Sequence, residues 1–209
     1  MIDMKNKENN PYILQSVDNA FRLVEILCKV EEIGVTELAK QMELGKSTAF
    51  RLLATLEKWG YVRKNEENNK YRLGIKFAYV GTIVLERQEI IKYSRPYLEE
   101  LSWETNETVH LAVMEDDCDI RFLDKVMGNS MFYMESFVGG KKPSYATGTG
   151  KALLSTLPDE KVLNYFKKHE IQRFTEHTIT DPEEFLEEVK RIREQGYAVD
   201  NEESEIGLT

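Results

Sequence analysis

Apolar residues recur at helical spacing through the first sixty positions and then switch to short alternating runs. Val17, Ala20, Phe21, Val24, Leu27 and Cys28 share one face of a helix, with Ser16 as its expected N-cap. Thr36 is placed to cap a short helix over 37–42 that turns Leu38, Ala39 and Met42 inward. Leu44 and Gly45 make a turn, after which Lys46, Ser47 and Thr48 open a helix running to Trp59 and stopping at Gly60. Phe50, Leu52, Leu53 and Leu56 are its expected buried face, with Ser47, Thr48 and Arg51 nearer the open side. Residues 61–64 and 70–73, joined by the polar turn 65–69, read as a hairpin that Gly74 closes.

The pattern over 75–88 is one continuous helix, apolar nearly all round. Such a helix needs a cover, either the first domain that it caps or a second copy of the chain. A helix over 90–106 follows, with Pro96 in its path as the site of a kink or a fresh start. Residues 108–114 alternate like a strand, 115–119 form an acidic turn, and 120–126 and 131–138 are two further strands. Residues 139–143 break the last of these. Helices are expected near 150–156, 158–168 and 182–195, the last capped by Thr180 or Asp181, led by Pro182 and stopped by Gly196. Residues 197–200 start another strand. The fold class is therefore α+β in two domains: 1–74, a connecting helix over 75–89, and 90–209.

Charge sharpens this division. The formal charge is −9, yet residues 1–75 carry 12 Lys and Arg against 11 Asp and Glu, and the excess of acid lies in the rest. Within 46–72 there are seven basic residues (Lys46, Arg51, Lys58, Arg63, Lys64, Lys70, Arg72) and three acidic ones. Positive charge thus concentrates on one helix and the hairpin behind it, where phosphates would lie. A helix-turn-helix followed by a basic wing is built as a DNA reader. No apolar run reaches membrane-spanning length and no signal-like stretch opens the chain, so a cytoplasmic protein is expected. Cys28 and Cys118 show no CxxC spacing, and Cys28 reads as a reduced core thiol.

The stretch 144–154 resembles a phosphate loop and is not one: Tyr145 stands where the first Gly belongs and Ala152 follows the lysine. What remains is a Gly-rich turn at a helix start. Its amides at Gly148, Thr149 and Gly150 would offer a seat for a small carboxylate, or the glycines only permit close packing. His110, His169 and His177 are scattered and have no zinc spacing, although His110 is the one best placed to line a pocket. Asp117 and Asp119 lack the rest of a calcium loop and read as a solvated turn. Neither a metal nor a cofactor is expected. No Ser or Cys has the setting of an activated nucleophile, which weakens an enzyme reading; a winged-helix scaffold for proteins is the other alternative.

Taken in order, these residues resemble the IclR-type bacterial transcription regulators over nearly the whole length. The matching pieces are 33–39, 46–53 with Leu56 and 60–62, 71–74, 107–112, 146–154 and 196–203. The resemblance implies a winged helix-turn-helix, a dimerising linker helix and a GAF-like effector domain, in a homodimer or tetramer acting as a repressor. It also implies an effector carboxylate on the amides matching Gly148 and Thr149, an acid at Asp200 toward the ligand's polar end, and apolar walls at Met131 and Met134. The phrases at 107–110, 143–147, 175–180 and 193–197 are similar to the subgroup responding to 2-keto-3-deoxygluconate, which points to control of a sugar-acid catabolic operon.

For DNA, the expected contacts are Lys46, Ser47, Thr48 and Arg51 in the major groove of a pseudo-palindromic duplex. Arg63, Lys64, Lys70 and Arg72 are expected on phosphates or in the adjacent minor groove. The family pattern continues beyond the last residue here, so a C-terminally incomplete effector domain that binds its ligand poorly is a further expectation.

Overall fold

The computed structural model describes residues 12–129 and 136–209, and the chain divides into two compact units, Met1–Val84 and Leu85–Thr209. The first contains α1 (Gln15–Leu27), α2 (Val35–Gln41), α3 (Lys46–Lys58) and a hairpin of β1 (Val62–Lys64) and β2 (Tyr71–Leu73). β1 and β2 pair antiparallel, with Val62 opposite Leu73 and Lys64 opposite Tyr71. Leu23, Leu27, Ile33, Leu38, Met42, Leu53, Val62 and Tyr71 form the core, so every element contributes to one apolar centre.

The helix starts differ from the sequence reading. α1 begins after Leu14 and α2 after Gly34, neither with a side-chain cap, so Ser16 and Thr36 do not cap. α2 starts earlier because extended backbone at Gly34 lets the helix begin at Val35. The face of α1 is also rotated. Asn19, Leu23 and Leu27 point inward, whereas Val17, Phe21 and the free thiol of Cys28 are exposed. Phe50 is likewise outside at 53% exposed, because α3 seats on Ala49 and Leu53 instead. The stop is as expected: Trp59 ends α3 and Gly60 turns the chain at φ +77°.

α4 (Lys76–Glu86) and α5 (Glu89–Thr105) are the two helices expected over 75–88 and 90–106, with a break at Arg87 and Gln88. α4 has no buried residue, and Ile75, Val80 and Val84 are exposed. α5 runs through Pro96 without restarting and ends at Asn106 in left-handed conformation.

In the second unit β3 (Val109–Met114) and β4 (Ile120–Val126) pair antiparallel across the acidic turn, with an irregularity between Leu111 and Ala112. β5 (Lys141–Lys142) adds to β4 inside the stretch expected to break the sheet. Most of the strand expected over 131–138 lies outside the described residues, and 136–138 is not strand. α6 (Gly148–Ser155), α7 (Asp159–Lys168) and α8 (Pro182–Gln195) close on a core of Tyr145, Ala146, Leu154, Val162, Tyr165, Phe185 and Val189.

Of the two caps offered for α8, Asp181 is the one used: its carboxylate accepts the amides of Glu183 and Glu184, Pro182 leads, and Gly196 ends the helix at φ +84°. Residues 197–200 form no strand, having no backbone ladder to join among the described residues.

Leu53→Ala should cost the first unit about 2–5 kcal/mol through the cavity it opens. Urea unfolding followed by helical circular dichroism checks this, and an unchanged midpoint would show that α3 is not seated on Leu53.

Candidate functional site

α3 follows a helix-turn-helix bend in which Glu43 takes φ 56° and Gly45 is extended. Ala49 and Leu53 are 0% exposed, and the 3.6-residue period then turns Ser47 and Arg51 to the opposite side. Lys46 and Thr48 are exposed beside them in the first turn, which holds no acidic residue. The four residues expected on DNA bases thus lie on one open end of one helix.

The wing behind α3 is held to the body by main chain. Ile33 and Tyr71 exchange two backbone hydrogen bonds (3.0 and 2.9 Å), adding a one-residue third strand to the hairpin. Arg63 stands directly opposite Arg72 in the register, and both are exposed. Two like charges facing each other repel unless an anion lies between or beside them. Arg72 has Glu32 at 3.7 Å, and Lys64 has Glu66 at 3.3 Å, while Lys70 is exposed at the base of the turn.

Glu32 is a residue that the sequence reading missed. Its carboxylate accepts hydrogen bonds from Asn65 (3.1 and 3.2 Å) and Asn68 (2.8 Å), so it fastens the turn of the wing to the loop before α2. These two amide donors, Asn68 first, hold its pKa below the ordinary glutamate value. The signal was present only as two asparagines in a five-residue turn; their partner lies more than thirty positions away.

In the second unit, Gly148 and Thr149 form the first turn of α6, and Thr147 caps it by accepting the Gly150 amide at 3.1 Å. Of the three amides read as outward, Gly150 is therefore engaged, whereas those of Gly148 and Thr149 have no acceptor among the described residues. Gly150 is required by close approach, because a Cβ there would stand 2.4 Å from the Ser144 backbone. A Cβ on Gly148 would lie 3.3 Å from the Asp200 nitrogen, which brings Asp200 beside the helix start.

The Asp200 side chain turns into its own loop. It accepts the amides of Glu203 (2.8 Å) and Ser204 (3.3 Å) and the Ser204 hydroxyl (2.6 Å). Met131 and Met134 lie outside the described residues. A hollow of about 190 Å³ lined by Phe122, Ser136, Phe137, Gly140, Lys141 and Lys142 includes none of the expected effector residues. His110, half-buried on β3, shares a 2.6 Å hydrogen bond with Ser136, and burial together with Lys125 lowers its pKa.

Lys151 is the second residue missed. Sequence comparison with a phosphate loop set it aside, yet it is 1% exposed and forms ion pairs with Glu188 on α8 (3.0 Å) and with Glu203. Burial pushes the Glu203 pKa up against the pull of the lysine, and its Oε2 has no partner among the described residues. Lys151 therefore ties α6, α8 and the 200–204 turn together behind the Gly148 amides. The acidic turn is neutralised in a similar way: Lys141 pairs with Asp117 and with Asp119 (3.5 Å), and Tyr165 donates to Asp119 at 2.7 Å. Asp117, Asp119 and His169 come together there, with the lysine already set against the carboxylates.

Glu32→Ala should leave the wing paired but its turn loose, so the Asn69 and Lys70 amides exchange faster while the α3 core amides do not; equal exchange would show that the carboxylate is incidental. Lys151→Met should cost the second unit about 3–5 kcal/mol, since it leaves the Glu203 carboxylate buried without its cation, whereas Glu188 keeps Arg191. Thermal unfolding checks it, and full stability in Lys151→Met would mean that the pairs contribute nothing.

The comparisons with known proteins converge on the same two units. The IclR helix-turn-helix domain matches residues 16–66, and the model described as bacterial transcriptional regulator IclR C-terminal matches residues 82–209. The HTH-type transcriptional regulator KdgR of Escherichia coli is 35% identical over 201 residues, covering 96% of this chain and 76% of that protein. The transcriptional repressor IclR of Escherichia coli is 32% identical, covering 93% and 72%. The crystal structure of the Thermotoga maritima IclR superposes with a TM-score of 0.69 at 33% identity, covering 92% and 77%. No helix among the described residues is long and apolar enough to cross a membrane. With a helix-turn-helix, a basic hairpin behind it, a second compact unit and these matches over nearly all of its length, the chain belongs to the IclR family of bacterial transcriptional regulators, which bind DNA and respond to small molecules rather than catalyse a reaction.

Proposed function

We propose that this chain is a repressor of a sugar-acid catabolic operon that binds a pseudo-palindromic operator as a homodimer and releases it on binding a small carboxylate. The observation that carries this reading is the exposed end of α3, with Lys46, Ser47, Thr48 and Arg51 presented together ahead of the basic wing. Arg51 suits a guanine edge, where its two parallel donors match O6 and N7. Arg63 and Lys70 take phosphates, and Lys64 and Arg72 share theirs with Glu66 and Glu32.

The homodimer is supported by α4, where no residue is buried and Tyr79, Val80 and Val84 are exposed, and by the exposed stripe of Leu14, Val17 and Phe21 on and before α1. Two copies make two reading heads, and the operator then carries two half-sites. For the effector, the amides of Gly148 and Thr149 at the start of α6 are a seat for a carboxylate, with Asp200 beside them and Met131 and Met134 as walls on sequence grounds. The named relative KdgR and the sequence phrases shared with its subgroup favour 2-keto-3-deoxygluconate. Its binding biases the orientation of the reading heads by about 1–3 kcal/mol.

The test is binding of the chain to DNA beside its own gene at two salt concentrations, with and without 2-keto-3-deoxygluconate. Specific binding released by the sugar acid is the expected result, and specific binding indifferent to it would remove that effector. Arg51→Ala should lose operator preference while Lys70→Ala weakens all DNA evenly and lowers the salt slope by about one. Unchanged preference in Arg51→Ala would take Arg51 off the readout face.

A further inference from the structure

We infer that Phe50 is a specificity-determining residue that reads the 5-methyl group of a thymine in each half-site, an inference that rests on the DNA-binding reading of α3. Ser47, Phe50, Arg51 and Ala54 stand at i, i+3, i+4 and i+7, and all four are exposed while Ala49 and Leu53 are buried. That spacing is the one by which a helix lying along the major groove faces base edges.

Phe50 is not part of the core cluster of the first unit. Its ring is 53% exposed and makes no ring contact among the described residues. An apolar ring on this surface gains only when something apolar covers it. The exposed side of the same helix has a basic excess, Lys46, Arg51 and Lys58 against Glu57. A second copy would bring the same positive charge to the contact, which opposes that occupant. A duplex brings phosphates for the cations. On the floor of its major groove it also offers the thymine methyl as the apolar group, for which Phe is a suitable partner.

Serine at 47 and alanine at 54 are small, so the Phe50 ring and Arg51 are the protruding features of the face. Arg51 supplies hydrogen-bond donors and Phe50 an apolar surface. Side by side they distinguish a thymine from a cytosine, which has no methyl at that position.

The experiment uses a duplex that the whole chain selects from a random-sequence pool, with each thymine replaced in turn by deoxyuridine, which lacks only the methyl. The expected result is one thymine per half-site where the replacement weakens wild-type binding about three- to fivefold, the worth of one buried methyl. At that position Phe50→Ala is no longer sensitive, while Phe50→Leu keeps part of the effect and both variants keep the wild-type melting temperature. A uracil profile in Phe50→Ala identical to that of wild type would overturn the assignment, as would indifference of the wild type to every replacement. A change in oligomeric state in Phe50→Ala, with the uracil profile retained, would assign the ring to a protein contact instead. Failure to select any duplex would overturn the DNA-binding reading itself and this inference with it.

Discussion

The burial of Ala49 and Leu53 is the constraint on which the proposed reading surface depends. A helix has one rotational setting once two residues of one edge are inside, and every other side chain follows at 100° per residue. With both residues 0% exposed against a core that includes Leu38 and Met42, α3 has little freedom to roll. The positions of Ser47, Phe50, Arg51 and Ala54 are consequences of that seat. Their chemistry is set by the residues, but their direction is set by what packs behind them.

The wing depends on a different kind of bond. β1 and β2 are three residues each, too short to be stable as an isolated hairpin. Two main-chain hydrogen bonds between Ile33 and Tyr71, and the side-chain bonds from Asn65 and Asn68 to Glu32, join it to the helical body. The Glu32 carboxylate also draws Arg72 partly away from the face-to-face repulsion with Arg63. The arrangement suits a surface that must hold positive charges close together before DNA arrives.

In the second unit the corresponding tension is inside. Lys151 brings an ammonium into the packed region behind α6, where two carboxylates meet it. Charges in such a place are costly unless paired, and the pairing forces three separate segments into one register. Thr175 and Thr178 reinforce it by donating to the carbonyls of Glu202 and Glu203 (2.6 and 2.7 Å). The start of α6, with the amides of Gly148 and Thr149, sits at the front of this brace.

Periodicity and punctuation were enough to read α3 with its stop at Gly60, the two strands of the wing, β3 and β4, and α8 with its stop at Gly196, because local rules govern each of them. The basic bias of 46–72 and the Gly-rich turn before Lys151 were equally legible, since charge and glycine act through residues adjacent in the chain. The face of α1, the exposure of Phe50 and Cys28, and the missing strand at 197–200 were not. An apolar residue at helical spacing fits either of two neighbouring faces, and the choice belongs to the element across the core. Glu32 and Lys151 became visible only in three dimensions, because the partners that give them meaning lie more than thirty residues away along the chain. The sequence by itself determined which local elements form and where positive charge collects; tertiary packing decided which side of each helix faces water, and so which residues are free to meet DNA.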